Sequence, residues 1–198
     1  THTLIYQSDN HFRTFDVYSQ LAYSLGLDKT HRYSLLWRSL KEALLNLYDN
    51  KQTSLVWVLD EAHQLSSNFF LELPSFLNFS FDSRNIITII MCGLPSLQAT
   101  LRRNAYNAMT SRVNFFFQWE SINDLTQFSC TINQAFQAAG KTEKILSEPG
   151  IHLIHLASKG RLRYARQIIT KALQIAVDSQ LNHLPDDIVK QAIESFQI

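Results

Sequence analysis

Two adjacent carboxylates, Asp60 and Glu61, are the residues of this sequence best placed to do chemistry. They follow five apolar residues, Leu55–Leu59, a run that predicts a strand buried on both faces, as in a parallel sheet. Ligands of open α/β sheets bind at the carboxyl ends of the strands, where both acids would lie. Because neighbouring strand residues point to opposite sides, we expect the two acids to have different roles.

Such a pair is typical of P-loop nucleotide hydrolases, where one acid holds the Mg²⁺ shell and the next can polarise the attacking water. That class also needs a Gly-rich loop ending in Gly-Lys-Ser or Gly-Lys-Thr, and the chain contains no such loop. Taken alone, Asp60 and Glu61 are equally compatible with a solvated strand end that caps the next helix. A second apolar strand, Ile86–Cys92, comes one βαβ unit later and favours the nucleotide site.

Two groups of cations complete the candidate chemistry. Arg112 precedes a predicted buried strand, Val113–Phe117, and could reach the γ-phosphate of a nucleotide held by a neighbouring subunit. The alternative for Arg112 is an ordinary surface arginine. Residues 159–166 place four cations around a predicted helix start, against the helix macrodipole. This cost favours an anionic partner, either a nucleotide phosphate or a nucleic-acid backbone, over a simple basic patch.

Composition describes an ordinary soluble protein. Of the 198 residues, 45% are hydrophobic and 18% charged, with a net charge of +1, so global charge predicts no polyanionic partner. Two cysteines, Cys92 and Cys130, do not make a disulfide framework, and a reducing cytoplasm fits them best. No apolar stretch approaches the roughly 20 residues that span a bilayer. The chain opens directly on a strand pattern, from which we expect a truncated product or an excised fragment.

The elements that would position these residues alternate between strand and helix to about residue 119. Strands are predicted at His2–Gln7, from Ser54, at Ile86–Cys92 and at Val113–Phe117, the last with its phenylalanines in the core. The helices between them carry apolar residues at helical spacing, and Leu97–Tyr106 is expected to be one short helix. This alternation predicts an α/β fold with parallel βαβ units.

After Trp119 the pattern becomes entirely helical. Four helices are predicted, starting near Ser121, at Ser147, at Leu162 and at Pro185. The sequence therefore predicts two domains, an α/β core over residues 1–119 and a helical lid over residues 120–198.

Four segments carry a resemblance to a known family, and they occur in the family's order: Leu55–Glu61, Ile89–Leu97, Ser111–Val113 and Ala157–Arg163. Together they resemble the AAA+ ATPases of the ExeA-type secretion and transposon-associated ATP-binding subunits. The resemblance implies a parallel P-loop-type sheet with flanking helices and a small helical lid. It also implies ATP and Mg²⁺ as cofactors and a homo-oligomer, either a ring or a filament.

By that resemblance Asp60 and Glu61 match the Walker B acids, Asp60 as the Mg²⁺ ligand and Glu61 as the catalytic residue. Arg112 matches the arginine finger that acts in trans, and Arg163 matches the lid arginine called sensor 2. The chain departs from the pattern in three ways. The Walker A loop and first strand are missing, Leu94 replaces a polar residue at sensor 1, and Leu162 replaces a proline. The missing strand would lie between Ile86–Cys92 and Val113–Phe117, so we expect a preceding segment that is not in this chain.

The resemblance implies an oligomeric ATPase switch, and within that class regulation of DNA transposition, with DNA and a transposase as partners. The secretion-linked branch is the first alternative. A degenerate interaction domain without catalysis is the second, favoured by Leu94 and by the missing loop. A DEAH-box helicase is a third option, suggested by Asp60–His63. This chain, however, lacks the Ser-Ala-Thr motif that such helicases carry afterwards.

Overall fold

The computed structural model describes residues 13–79, 84–141 and 144–196, together with the backbone of residues 2–7. The chain divides into two compact units, Thr1–Gln118 and Trp119–Ile198. Within the described residues the first unit contains β1 (His2–Gln7), α1 (Thr14–Ser24), α2 (Tyr33–Lys51), β2 (Leu55–Asp60), α3 (Ser67–Leu77), β3 (Ile87–Met91), α4 (Pro95–Leu101) and α5 (Asn107–Thr110). The second contains α6 (Leu125–Ala138), α7 (Glu148–Ser158), α8 (Leu162–Asp178) and α9 (Asp186–Glu194).

The three strands form a parallel sheet in the order β1-β2-β3, which confirms the predicted α/β fold. The prediction that β2 is buried on both faces is wrong. Its alternate residues Leu55, Trp57 and Leu59 are buried, whereas the residues between them are only half-buried. On β3, Thr88 and Ile90 are exposed. Among the described residues, the helical core therefore covers one face of the sheet more completely than the other.

An aromatic cluster holds α1, α2 and α3 against the buried face of β2. The ring of Tyr18 lies 6.1 Å from Trp57, 5.7 Å from Phe69 and 4.8 Å from Phe76, measured between centroids. Such tilted ring pairs add to the free energy gained by burying apolar area. Pro74 lies inside α3 and does not end it, because the helix runs on to Leu77.

The region after β3 differs from the prediction in two respects. In place of one helix over Leu97–Tyr106 there are α4, a 3₁₀ turn at Asn104–Tyr106 and α5. The predicted strand Val113–Phe117 does not form, and Phe115 and Phe117 are 90% and 83% exposed rather than in the core. A strand needs a neighbour for its backbone hydrogen bonds. Among the described residues, this segment pairs with no strand, and the outer edge of β3 is likewise without one.

The second unit is a four-helix arrangement around its own apolar core, with Phe128, Ile154, Ala165 and Val189 fully buried. Asp124, rather than Ser121, caps α6, because its side chain accepts a hydrogen bond from the Gln127 amide at 2.6 Å. In the part of the chain that the structure describes, no helix has the length and apolarity to cross a bilayer.

Candidate functional site

The two acids lie where β2 and β3 end side by side. The Cys92 amide donates a hydrogen bond to the Leu59 carbonyl at 2.8 Å, and the Ala62 amide donates one to the Cys92 carbonyl at 2.7 Å. These bonds extend the ladder beyond the strands and fasten the turn after β2 to the end of β3. Asp60 and Glu61 are therefore held at the carboxyl edge of a parallel sheet, the place where open α/β sheets bind ligands.

The backbone reverses between the two acids. Asp60 closes β2, is half-buried, and accepts a hydrogen bond from the Glu61 amide on Oδ1 at 2.9 Å. Glu61 has a φ of 53°, in the left-handed region that residues with a side chain adopt only when the surrounding structure holds them there. Asp60 thus closes the strand and Glu61 lies on the turn beyond it, so the two carboxylates start from different backbone positions at the sheet edge. Carboxylate oxygens are the ligands that Mg²⁺ prefers.

His63 contacts Glu61, and sequence reasoning did not identify it as part of the site. It lies in the 3₁₀ turn Ala62–Gln64, and its Nδ1 is 3.4 Å from Oε2 of Glu61. The same Nδ1 lies 3.4 Å from the backbone nitrogen of Leu94, in the turn after β3. The only local signal for His63 was its place in the run Asp-Glu-Ala-His. That run does not reveal the contact with Leu94, which is 31 residues away in the sequence.

Leu94, at the position matched to sensor 1, is the N-cap of α4 and is 58% exposed. An apolar side chain at this position can neither donate a hydrogen bond to a phosphate nor orient a water. The polar group that the residue brings to the carboxyl edge of the sheet is its backbone amide, which faces His63.

Arg112 lies just after α5, in the first unit. Its Nη1 donates a hydrogen bond to the Ala108 carbonyl at 2.9 Å, and its backbone amide donates to Met109 at 3.0 Å. A cation beside the last carbonyls of a helix is electrostatically favourable, so Arg112 has a capping role whatever else it does.

Arg163 lies in the first turn of α8, in the second unit, and is exposed. The side chain of the neighbouring Arg161 is already engaged at the start of α8. Its Nε donates to the Ser158 carbonyl at 3.2 Å, and its guanidinium stacks on the Tyr164 ring, 4.4 Å from the centroid. Among the described residues, Arg163 makes no ion pair. Arg163 is therefore accessible to an external anion, as is the exposed Arg166 on the next turn.

A Gly-Lys-Thr triplet does occur at residues 140–142, but Ala135 stands where the Walker A pattern requires its first glycine. Gly140, with a φ of 85°, instead ends α6. Its amide donates to the Gln137 carbonyl at 2.9 Å, and the Lys141 amide donates to the Phe136 carbonyl at 3.0 Å. This is the Schellman pattern of a helix C-terminus, so these amides satisfy helix carbonyls rather than a phosphate.

The comparisons with known proteins concern the family and the fold of the chain. Residues 2–101 match the family model described as AAA domain. A curated relative, general secretion pathway protein A of Aeromonas hydrophila, is 24% identical over 152 residues, covering 76% of this chain. The match spans only 27% of that relative's length.

Solved structures share the fold over almost the whole chain. The Aeropyrum pernix ORC2 protein in its ADP form has a TM-score of 0.73 at 16% identity, covering 97% of this chain and 52% of its own. Cdc6p from Pyrobaculum aerophilum has a TM-score of 0.71 at 17% identity, and the match covers 100% of this chain and 54% of Cdc6p. The Thermotoga maritima RuvB Holliday junction branch migration motor has a TM-score of 0.65 at 14% identity, and the match covers 100% of this chain and 54% of RuvB. This chain spans about half the length of these structures, and at such identities the likeness concerns the fold.

Proposed function

This chain belongs to the AAA domain family, and on that premise we propose that it is an ATP-binding and ATP-hydrolysing AAA+ module that works as an oligomeric switch on a partner. The observation that carries the proposal is the position of Asp60 and Glu61. Both acids stand at the carboxyl edge of the parallel sheet, on a turn that is hydrogen-bonded to the end of β3.

The acid pair fits a magnesium nucleotide. Asp60, at the strand end, would hold the cation with its carboxylate oxygens, whereas Glu61, on the left-handed turn beyond it, would accept a proton from the attacking water. Bound Mg²⁺ supplies neutralisation of the charge that develops on the phosphates.

Two arginines would supply further positive charge. We assign Arg163 to the phosphates bound in its own subunit, as sensor 2, because it is exposed in the first turn of α8. We assign Arg112 to the γ-phosphate held by a neighbouring subunit, as an arginine finger. This second assignment requires a ring or filament, so ATP binding and assembly would be coupled.

Glu61→Gln in the protein at its natural length tests the proposal, with Glu194→Gln on the exposed end of α9 as the matched control. We expect Glu61→Gln to keep ATP affinity and to lose most of the turnover, because the amide cannot accept the proton from water. Glu194→Gln should behave like the parent protein. Unchanged turnover in Glu61→Gln would rule out this role. ATP binding without turnover in the parent would support the degenerate interaction domain instead.

For the partner, we propose DNA and a transposase. Arg166 is exposed on α8, one turn after Arg163. Because Arg163 is assigned to the nucleotide, we assign Arg166 to a phosphate of the nucleic-acid backbone. ATP-dependent assembly on duplex DNA, seen by electron microscopy and weakened in Arg166→Ala, would support this partner.

A secretion-linked switch is the second candidate, and the similarity to general secretion pathway protein A favours it. In that case DNA should neither promote assembly nor change ATP turnover. The protein should instead co-purify with components of the cell envelope when it is isolated from its own cells.

A further inference from the structure

The imidazole of His63 lies between the two halves of the proposed site. On one side is the carboxylate of Glu61, on the turn after β2, and on the other is the backbone amide of Leu94, on the turn after β3. The His63 side chain is only 17% exposed, so its ring is held between these turns rather than moving in solvent.

Gly93 makes this placement possible. A Cβ added at Gly93 would lie 3.1 Å from the backbone nitrogen of His63 and 3.3 Å from its Nδ1. Both distances are tighter than ordinary van der Waals contact. A side chain at this position would therefore press on the ring, and the glycine allows the two turns to approach each other.

A single nitrogen faces both partners. Nδ1 of His63 is 3.4 Å from Oε2 of Glu61 and 3.4 Å from the amide nitrogen of Leu94. A hydrogen bond to the carboxylate requires a proton on Nδ1, whereas a hydrogen bond from the amide requires a lone pair there. The two interactions therefore exclude each other, and the proton's position on the ring decides which one forms.

We propose that His63 is a positioning residue that couples the carboxylate of Glu61 to the turn Gly93–Leu94. With the proton on Nδ1, the ring holds Glu61. With the proton on Nε2, the ring accepts from the Leu94 amide and its contact with Glu61 is lost. A change in the turn after β3 is thus transmitted to the acid that would activate water. This proposal rests on the proposed function, because only there does the position of Glu61 govern a reaction.

The coupling would act through the backbone of residue 94. Its leucine side chain has no polar atom, and the group that faces His63 is the backbone amide. The contact is therefore compatible with an apolar residue at the place where the resemblance leads us to expect a polar one.

Amide hydrogen exchange at Leu94 tests the sharing of Nδ1 without any need for ATP. In Glu61→Ala the ring should become a dedicated acceptor, so exchange at Leu94 should slow several-fold. In His63→Phe the acceptor is removed, so exchange should become faster. His152→Phe on the exposed side of α7 is the matched control and should leave exchange unchanged. Equal loosening in Glu61→Ala and His63→Phe would mean a merely structural contact and would overturn the proposal.

ATP turnover by the protein at its natural length tests the consequence. His63→Phe keeps a ring of similar shape and should lower kcat by about ten- to a hundredfold with KM unchanged, as for other residues that orient a reacting group. His63→Asn should restore much of kcat, because a flip of its amide places either the donor Nδ2 or the acceptor Oδ1 near the position of Nδ1. Unchanged kcat in His63→Phe, or no rescue by asparagine, would contradict the proposal.

The two proposals fail separately. If Glu61→Gln retains full turnover, the proposed function is wrong, while the exchange experiment still decides whether Nδ1 is shared. If Glu61→Gln abolishes turnover and His63→Phe does not change it, only the positioning role of His63 is wrong.

Discussion

The carbonyl oxygen of Ile122 lies 2.2 Å from the place that a Cβ on Gly160 would occupy, and the Ile122 amide donates a hydrogen bond to the Gly160 carbonyl at 3.0 Å. Gly160 also has a φ of 69°, in the left-handed region. A glycine is therefore required here twice over, by the backbone conformation and by the close approach of a second segment. Because Arg163 follows three residues later, this contact fixes the start of α8 against the segment that leads into α6.

Gly160→Ala should destabilise the second unit by at least about 3 kcal/mol, because the new methyl group meets backbone atoms that cannot move aside. Gly140→Ala is the matched control. Gly140 has a φ of 85°, but no atom lies within 4 Å of its Cβ position, so only the backbone cost of about 1–2 kcal/mol applies. Urea unfolding followed by helical circular dichroism measures both. Equal losses in the two variants would show that the contact with Ile122 is unimportant.

Ser66→Ala should cost about 1 kcal/mol, with a range of about 0.5–2, because it removes the N-cap of α3. The Ser66 hydroxyl accepts from the Phe69 amide at 3.3 Å and shares a hydrogen bond with the Thr14 hydroxyl at 2.9 Å. Ser67 is the next residue but is exposed and is not the cap, so Ser67→Ala should be close to neutral. The reverse order of effects, measured as unfolding midpoints, would place the cap at Ser67.

Stability should fall above about pH 10, and less steeply in Tyr18→Phe. Burial, followed by the nearby Tyr33 and Glu72, raises the pKa of the Tyr18 hydroxyl well above its ordinary value of 10.0. At a pH between the pKa of Tyr18 in the unfolded chain and its higher pKa in the folded chain, the unfolded chain loses a proton that the folded chain keeps. The stability present below pH 10 is therefore lost as the pH rises. Desolvation lowers the pKa of Lys41, which acts in the opposite direction, but equally in both proteins.

Urea midpoints from pH 8 to 11 measure this difference between the parent and Tyr18→Phe. Among the described residues the Tyr18 hydroxyl has no hydrogen-bond partner, so its removal at neutral pH should be neutral or stabilising by up to about 1 kcal/mol. If the urea midpoints of the two proteins fell in parallel as the pH rises, the loss of stability at alkaline pH could not be assigned to Tyr18.

Mixing two inactive variants tests whether the proposed active site is shared between subunits. Arg112→Ala and Glu61→Gln should each be inactive alone in the protein at its natural length. In mixed assemblies some interfaces would pair an intact Glu61 with an intact Arg112, so part of the ATP turnover should return. Failure of every mixing ratio to restore turnover would count against Arg112 acting in trans.

The strongly patterned elements of the fold were predictable because their signals are local. Tyr18, Leu21 and Ala22 in α1 have the helical apolar spacing that predicted helices between the strands, and the apolar run before Asp60 predicted β2. Val113–Phe117 has equally strong strand composition and yet forms no strand, because strand formation depends on an available neighbour. That information is not contained in the segment itself.

The candidate site was predictable only in part, for the same reason. Asp60 and Glu61 could be found because a strand end and two acids are adjacent in the sequence. His63 could not, because the role proposed for it depends on a contact with Leu94, which is 31 residues away in the sequence. The need for Gly160 was similarly hidden, since the atoms that exclude a side chain there belong to Ile122.

The most direct test of the central claim, that Asp60 faces the metal of a bound nucleotide, is electron–nuclear double resonance on the protein at its natural length. Mn²⁺ would replace Mg²⁺ in a complex with a non-hydrolysable ATP analogue, and the aspartates would carry ¹³C carboxyl groups. We predict a ¹³C coupling from one directly coordinated or water-bridged aspartate, and its loss in Asp60→Asn. A spectrum without such a coupling, or one that Asp60→Asn leaves unchanged, would contradict the account.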